Sequence, residues 1–117
     1  MLGFTSSSAI GVQGWNGSPV TLTGPTAVVN IWVHLAVTYS LSNGLKLYVN
    51  GTQSGAASAT YSYLAAGSPV TVTLSQPPSA SCSAGNINVG QYYGYMDQFE
   101  LYSRELTASY VLGLANS

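Results

Sequence analysis

A strict alternation across residues 33–40 constrains this chain more than any other feature. Val33, Leu35, Val37 and Tyr39 share one parity, while His34, Ala36, Thr38 and Ser40 share the other. A period of two belongs to a strand with one buried face, because successive side chains of an extended chain point to opposite sides. Trp32 opens the run. Ser42-Asn43-Gly44 follows it, and Asn-Gly between two alternating runs signals a hairpin. Residues 45–49 form the next run, with Leu45, Leu47 and Val49 set against Lys46 and Tyr48, and Asn50-Gly51 makes a second turn.

Further strand patterns cover much of the remaining chain. Val70, Val72 and Leu74 alternate with Thr71 and Thr73, and residues 61–64 and 87–89 form short runs. Residues 93–102 alternate Tyr95, Asp97, Phe99 and Leu101 against Met96, Gln98, Glu100 and Tyr102. Residues 4–12 are rich in Ser and Ala and extended in character, and 20–22 and 27–29 are short strand candidates around Gly24-Pro25. Only the C-terminus reads as helix, with Thr107 as N-cap and Tyr110, Val111 and Leu114 at helical spacing. Short strands separated by turn signals predict an all-β fold, an antiparallel jelly-roll β-sandwich closed by a short C-terminal helix.

At 117 residues the chain is the size of one domain. Hydrophobic residues make up 46%, enough for a core, but charged residues only 4%, against about 25% in ordinary domains. With Lys46 and Arg104 as its only cations, the chain does not suit a nucleic-acid backbone. No apolar run approaches the roughly 20 residues of a membrane helix, so membrane insertion is not expected. The first eight residues lack a basic region followed by an apolar core and do not read as a signal peptide. A secreted form would then be a mature chain or a fragment. Sheet edges are ordinarily guarded by charge, and this chain has almost none to spend on them. Its edges are expected to be covered, or to pair with something. Cys82 is the single cysteine, so an internal disulfide is impossible. Its Pro- and Ser-rich surroundings read as an exposed loop, where the thiol is either inert or an intermolecular link.

Several of these segments together resemble one family. Trp32-Val33-His34-Leu35-Ala36-Val37-Thr38-Tyr39 resembles the W-x-H-[LV]-A-V-T-Y strand of laminin-G-like domains in the concanavalin-A-like jelly-roll lectin/glucanase superfamily. Gly44-Leu45-Lys46-Leu47-Tyr48-Val49-Asn50-Gly51 is similar to the hairpin L-x-L-Y-V-[DN]-G of that family. Asn88-Val89-Gly90 is similar to its I-G strand end. Gly94-Tyr95-Met96-Asp97-Gln98-Phe99-Glu100-Leu101-Tyr102 is similar to G-x-I-D-[ED]-V-R-[IV]-Y, and Arg104-Glu105-Leu106-Thr107 to the closing N-R-A-L-[ST]. The resemblance covers residues 32–114. It implies further N-terminal strands ahead of Trp32, where this chain has only about thirty weakly patterned residues. Residues 1–30 are therefore expected to be an extended segment and 31–117 the jelly-roll core. Such a core would be short of strands. A neighbouring copy could complete it by donor-strand complementation, with Leu2, Phe4, Ile10 and Val12 as the donor segment.

Catalytic chemistry finds little support. His34 is the only histidine and reads as structural. A hydrolase triad would need it beside Asp97 and a serine on a G-x-S-x-G elbow, which is absent. Asp97 and Glu100 differ in parity and would face opposite sides of one strand, so they cannot flank a glycosidic bond. The only other acid is Glu105. In larger relatives a calcium site is common, and Asp97 is the one weak metal candidate that the resemblance implies. Three scattered acids fall short of the usual ligand count, and one Cys with one His excludes a zinc site. No cofactor is expected.

Binding and modification offer more candidates. Trp15, Tyr92, Tyr93 and Tyr95 could stack on sugar rings or serve an interface. Asn16-Gly17-Ser18 and Asn50-Gly51-Thr52 fit the N-glycosylation pattern. Two functions follow as expectations. The first is a non-catalytic extracellular or cell-surface structural module that self-associates, a glycosylated fibril subunit joined by donor strands. The second is a lectin-like adhesion module of a larger secreted protein, binding carbohydrate or protein. Other copies of the chain, then glycans, are the expected partners.

Overall fold

A computed structural model describes residues 1–65, 67–69, 72–75 and 85–117. Among the described residues, six strands and one helix form two antiparallel three-stranded sheets and an outer layer. The first sheet holds β1 (Leu2–Phe4), β2 (Ala9–Trp15) and β3 (Pro19–Thr26) in that order. In the second sheet, β4 (Leu35–Ser40), β5 (Gly44–Val49) and β6 (Thr52–Gln53) lie in chain order.

The alternation that predicts β4 and β5 also sorts their faces. Leu45 and Leu47 are buried with Ile10, Val12 and Tyr61, and Leu35, Tyr39 and Val49 pack against them. This cluster is the sandwich core, and both sheets contribute to it. Tyr48 points the other way and is buried with Leu106 and Val111, where Ala36 and Leu114 join. The helix α1 (Ala108–Ala115) thus covers the outer face of the second sheet. Thr107 caps it, its side chain accepting from the Tyr110 N–H, and satisfies one of the unpaired donors of the first turn.

Both hairpin turns of the second sheet follow from glycine. Asn50 and Gly51 link β5 to β6 with φ of 51° and 79°, the all-positive geometry of a type I′ turn. At the other turn, Ser40 pairs with Gly44 and only Gly44 is left-handed, at φ 69°. The turn therefore spans 41–43, one residue earlier than the Asn-Gly pair suggests.

The expected division at residue 30 is not a division in the structure. Residues 1–26 build an entire sheet, and Ile10 and Val12 share one core with Leu45 and Leu47. Weak alternation hid β2 because both of its faces are covered, and such strands lose the inside–outside contrast. Ile10 and Val12 face the sandwich core. On the other face, Gly3 and Gly11 stand opposite each other in register, and the Ile87 side chain lies over them.

Residues 85–88 form a strap across that outer face. The Gly85 N–H donates to Gln13 Oε1, Asn86 Nδ2 donates to Leu22 O at 2.9 Å, and the Asn88 N–H donates to Phe4 O at 2.7 Å. These bonds reach β2, β3 and β1 in turn. The run 87–89, expected as a strand, therefore crosses the sheet and adds no strand to it. Residues 93–102 also form no strand: Gln98 adopts φ 52°, which interrupts any extended run. Residues 27–29, 61–64 and 72–74 likewise carry no ladder, and Val70 and Thr71 lie outside the described residues.

Candidate interaction surface

The outer edge of β4 carries no strand partner among the described residues, since the sheet order places β5 on its one paired side. Its sequence, Leu-Ala-Val-Thr-Tyr-Ser, contains no charge. Val37 at its middle is 39% exposed. Just before the strand, Val28, Val29, Ile31 and Trp32 are all exposed, Trp32 by 71%, and Leu41 is exposed just after it. Charge, proline or a covering segment normally protects such an edge. β4 has neither charge nor proline, and among the described residues no backbone bonds to its outer side.

Tyr39 shows how the neighbouring loop is held. Its hydroxyl donates to Tyr61 O at 2.6 Å and accepts from the Tyr63 N–H at 3.0 Å. The Leu64 N–H then donates to Trp15 O at 2.9 Å. Burial pushes the Tyr61 phenol above its ordinary pKa, and the nearby Tyr39 and Tyr63 phenols add to the shift. Residues 61–64 are thereby held between Tyr39 of β4 and Trp15 of β2.

On the outer face of β5 lies a polar corner. Lys46 Nζ meets Glu105 Oε1 at 3.0 Å, and Asn43 Nδ2 donates to Glu105 Oε2 at 2.7 Å. Asn43, Ser40 and Lys46 together hold the Glu105 carboxyl down at about 2, well below its ordinary 4.5. Asn43, Lys46, Tyr48, Gln53, Glu105 and Thr107 line a hollow of about 240 Å³ here. Its single carboxylate is already ion-paired, so the corner fastens the approach to α1 onto β5 and offers no acid–base pair.

The other two acids are engaged separately. Asp97 Oδ1 accepts from the Gln98 N–H at 2.8 Å. Glu100 accepts from the Tyr102 hydroxyl, whose pKa is pushed up to about 12, mainly by that bond. Among the described residues, no three His, Cys, Asp or Glu side chains stand close enough together to hold a metal ion. Asp97 is exposed, and His34 is half-buried with its Nδ1 unpartnered.

The four aromatic candidates do not converge. Tyr92 stacks on Phe4 with ring centroids 6.0 Å apart, at the end of β2 where Phe4 pairs with Ile10. Trp15 is half-buried at the opposite end of β2, five residues or about 17 Å further along the strand. Tyr93 and Tyr95 are 85% and 86% exposed. Of the expected donor segment, Leu2 and Phe4 are partly exposed in β1, whereas Ile10 and Val12 are buried in β2. Both sequon asparagines are exposed at turns. Asn16 Oδ1 accepts from the Ser18 N–H and hydroxyl, and Asn50 Oδ1 accepts from the His34 N–H at 3.0 Å. Cys82 and its loop, 77–83, lie outside the described residues.

Composition and pattern did not single out the β4 edge, the polar corner or the strap. The missing charge on residues 35–40 was the one available signal for the edge. The corner joins residues about sixty positions apart, a distance that local pattern does not span.

No helix among the described residues is long and apolar enough to cross a membrane. No curated protein matches the chain. A crystal structure of an S-layer domain-containing protein from Clostridium thermocellum, covering residues 221–444 of that protein, shares the fold with a TM-score of 0.59 and 24% identity. The alignment covers 92% of this chain and 51% of that one, so the chain spans about half its length. Residues 1–112 match the laminin-G-like family of the concanavalin A-like lectin/glucanases superfamily. With its N-terminal sheet and its hairpin both inside that match, the chain belongs to this family.

Proposed function

We propose that the chain is a non-catalytic module of the cell surface or extracellular space that works by associating with other copies of itself. The uncharged edge of β4, unpaired among the described residues, carries this reading, because an exposed strand edge is a template for another strand. The exposed residues Val28, Val29, Ile31 and Trp32, which precede the strand in the chain, add apolar surface of the kind that marks interaction sites. A chain with only 4% charged residues also meets little repulsion when copies approach. The setting is carried over from the family and from the S-layer domain-containing protein with the same fold. Dispersal of the three carboxylates among separate local bonds supports the non-catalytic part.

Edge pairing fits the structure better than donor-strand exchange. For the N-terminus to serve as donor, β1 and β2 would have to leave their sheet and expose Ile10 and Val12. Pairing through β4 leaves the sandwich intact. Asn16 and Asn50, exposed at turns, are the proposed sites of N-linked sugar, and the intact mass of protein from its native source tests them. Sedimentation velocity over a dilution series tests association itself. Species heavier than the 12.1 kDa chain, growing with concentration, support the reading, and a single monomer boundary throughout rejects it.

The exposure of Tyr93 and Tyr95 favours a second reading, a glycan-binding module. Calorimetric titration with oligosaccharides, repeated on Tyr95→Ala, decides it. Binding that the variant loses supports a lectin role, and absence of heat with every sugar removes it.

A further inference from the structure

Parity fixes which backbone groups of β4 face outward. Ser54 and Ser58 donate their N–H groups to Leu47 O and Leu45 O, so the odd residues of β5 bond away from β4. The Asn50 N–H donates to His34 O at 2.8 Å. Along an antiparallel ladder, hydrogen-bonded and non-bonded pairs alternate. Ala36–Tyr48, Thr38–Lys46 and Ser40–Gly44 are therefore the bonded pairs of the β4–β5 register. Leu35, Val37 and Tyr39 turn their N–H and C=O groups toward the open side, where no described backbone meets them.

These three residues make the edge self-complementary. Across an antiparallel two-fold, partner residue numbers add to a constant, and only residues with outward groups can bond. A two-fold at Val37 pairs Val37 with its own counterpart and Leu35 with Tyr39 in both directions, engaging every outward group. A two-fold at Ala36 or Thr38 engages only part of them, and one lying between two residues engages none.

We propose that two copies of this chain pair β4 to β4, antiparallel about a two-fold axis at Val37, so that their second sheets merge into one continuous sheet. The proposal rests on the assembly reading given above and names its geometry. Charge favours it, since β4 contains no ionic group and no like charges are set opposite each other. The nearest cation, Lys46, is on the neighbouring strand and bonded to Glu105. The ends of the strand fit as well. Leu41 of each copy falls level with Val33 of the other, next to Trp32, and both Leu41 and Trp32 are exposed in the single chain. An interface of this kind uses the same patch on both copies and closes on itself. It gives a discrete dimer and no filament.

Cysteine cross-linking in a Cys82→Ser background tests the register. A hydrogen-bonded antiparallel pair holds its Cα atoms about 5.5 Å apart, inside the roughly 4.4–6.8 Å that a disulfide spans. Under mild oxidation Val37→Cys is expected to give a covalent dimer on a non-reducing gel, and Ser40→Cys, far from its own counterpart, to stay monomeric. Cross-linking through Ser40→Cys without Val37→Cys overturns the register. If neither links while the wild type still sediments as an oligomer, the β4 interface is wrong and the assembly reading survives. A monomeric wild type removes both. Val37→Lys, with its fold confirmed by circular dichroism, is the second arm. Lysines set opposite each other are expected to raise the dimer dissociation constant about tenfold or more. An unchanged constant contradicts the proposal.

Discussion

Thr38 and Glu105 show how single side chains set the stability of the second sheet. The Thr38 hydroxyl is buried on the face of β4 that packs toward α1 and has no hydrogen-bond partner. A buried, unpartnered hydroxyl costs roughly 1–3 kcal/mol, and valine fits the same strand position without it. Thr38→Val is therefore expected to raise stability by about 1 kcal/mol in thermal unfolding, and a lower melting temperature contradicts the assignment. Glu105 acts through its charge. Its carboxyl titrates near 2 in the folded chain, against an ordinary 4.5. A depressed folded pKa gives stability that is present above the unfolded value and lost as pH falls toward the folded one. The wild type is expected to lose melting temperature between about pH 4.5 and 2, and Glu105→Gln to show a shallower slope across that window. Equal slopes would show that the corner does not fasten α1.

At the scale of elements, legibility tracks the contrast in residue type between the two faces of a strand. β4, β5, their turns and the Thr107-capped helix were readable, because large apolar residues keep one parity in each strand while Ala36, Thr38 and Lys46 stand on the other, even though α1 covers that second face, and because a cap leaves a local signature. β2 was not, because Ile87 covers Gly11 on the face opposite the core, Gln13 on that face is buried, and on the core side Gly14 breaks the apolar run of Ile10 and Val12 where Tyr61 packs. The alternation in 93–102 was misleading: its large side chains Tyr93, Tyr95, Phe99 and Leu101 are exposed, and Gln98 breaks the extended path. At the candidate surface, the absence of charge was legible but its location was not, since the free side of β4 depends on where the other strands go. The strap gives a prediction at this scale. A Cβ on Gly3 would come within 2.8 Å of Ile87 Cγ2. Gly3→Val is expected to lift residues 85–88 off the first sheet, raising amide exchange at Asn88 and proteolysis beside the strap while α1 stays protected. Unchanged exchange at Asn88 would show that Ile87 is not what seats it.

At the scale of the molecule, two small sheets share one core, and each face of the sandwich has a further layer: the strap on the first sheet and α1 on the second. The faces are covered, while among the described residues the outer edge of β4 stays open. Solubility for a bare monomer with so little charge is poor on general grounds, and pairing β4 removes both the open backbone groups and part of the exposed apolar surface near Trp32. Static light scattering of the wild type beside Val37→Lys, at matched concentrations, tests this account most directly. It predicts a wild-type mass rising from the 12.1 kDa of one chain toward twice that value, with the variant remaining at the mass of one chain. A wild type that stays monomeric at every concentration, or a variant that associates equally well, contradicts it.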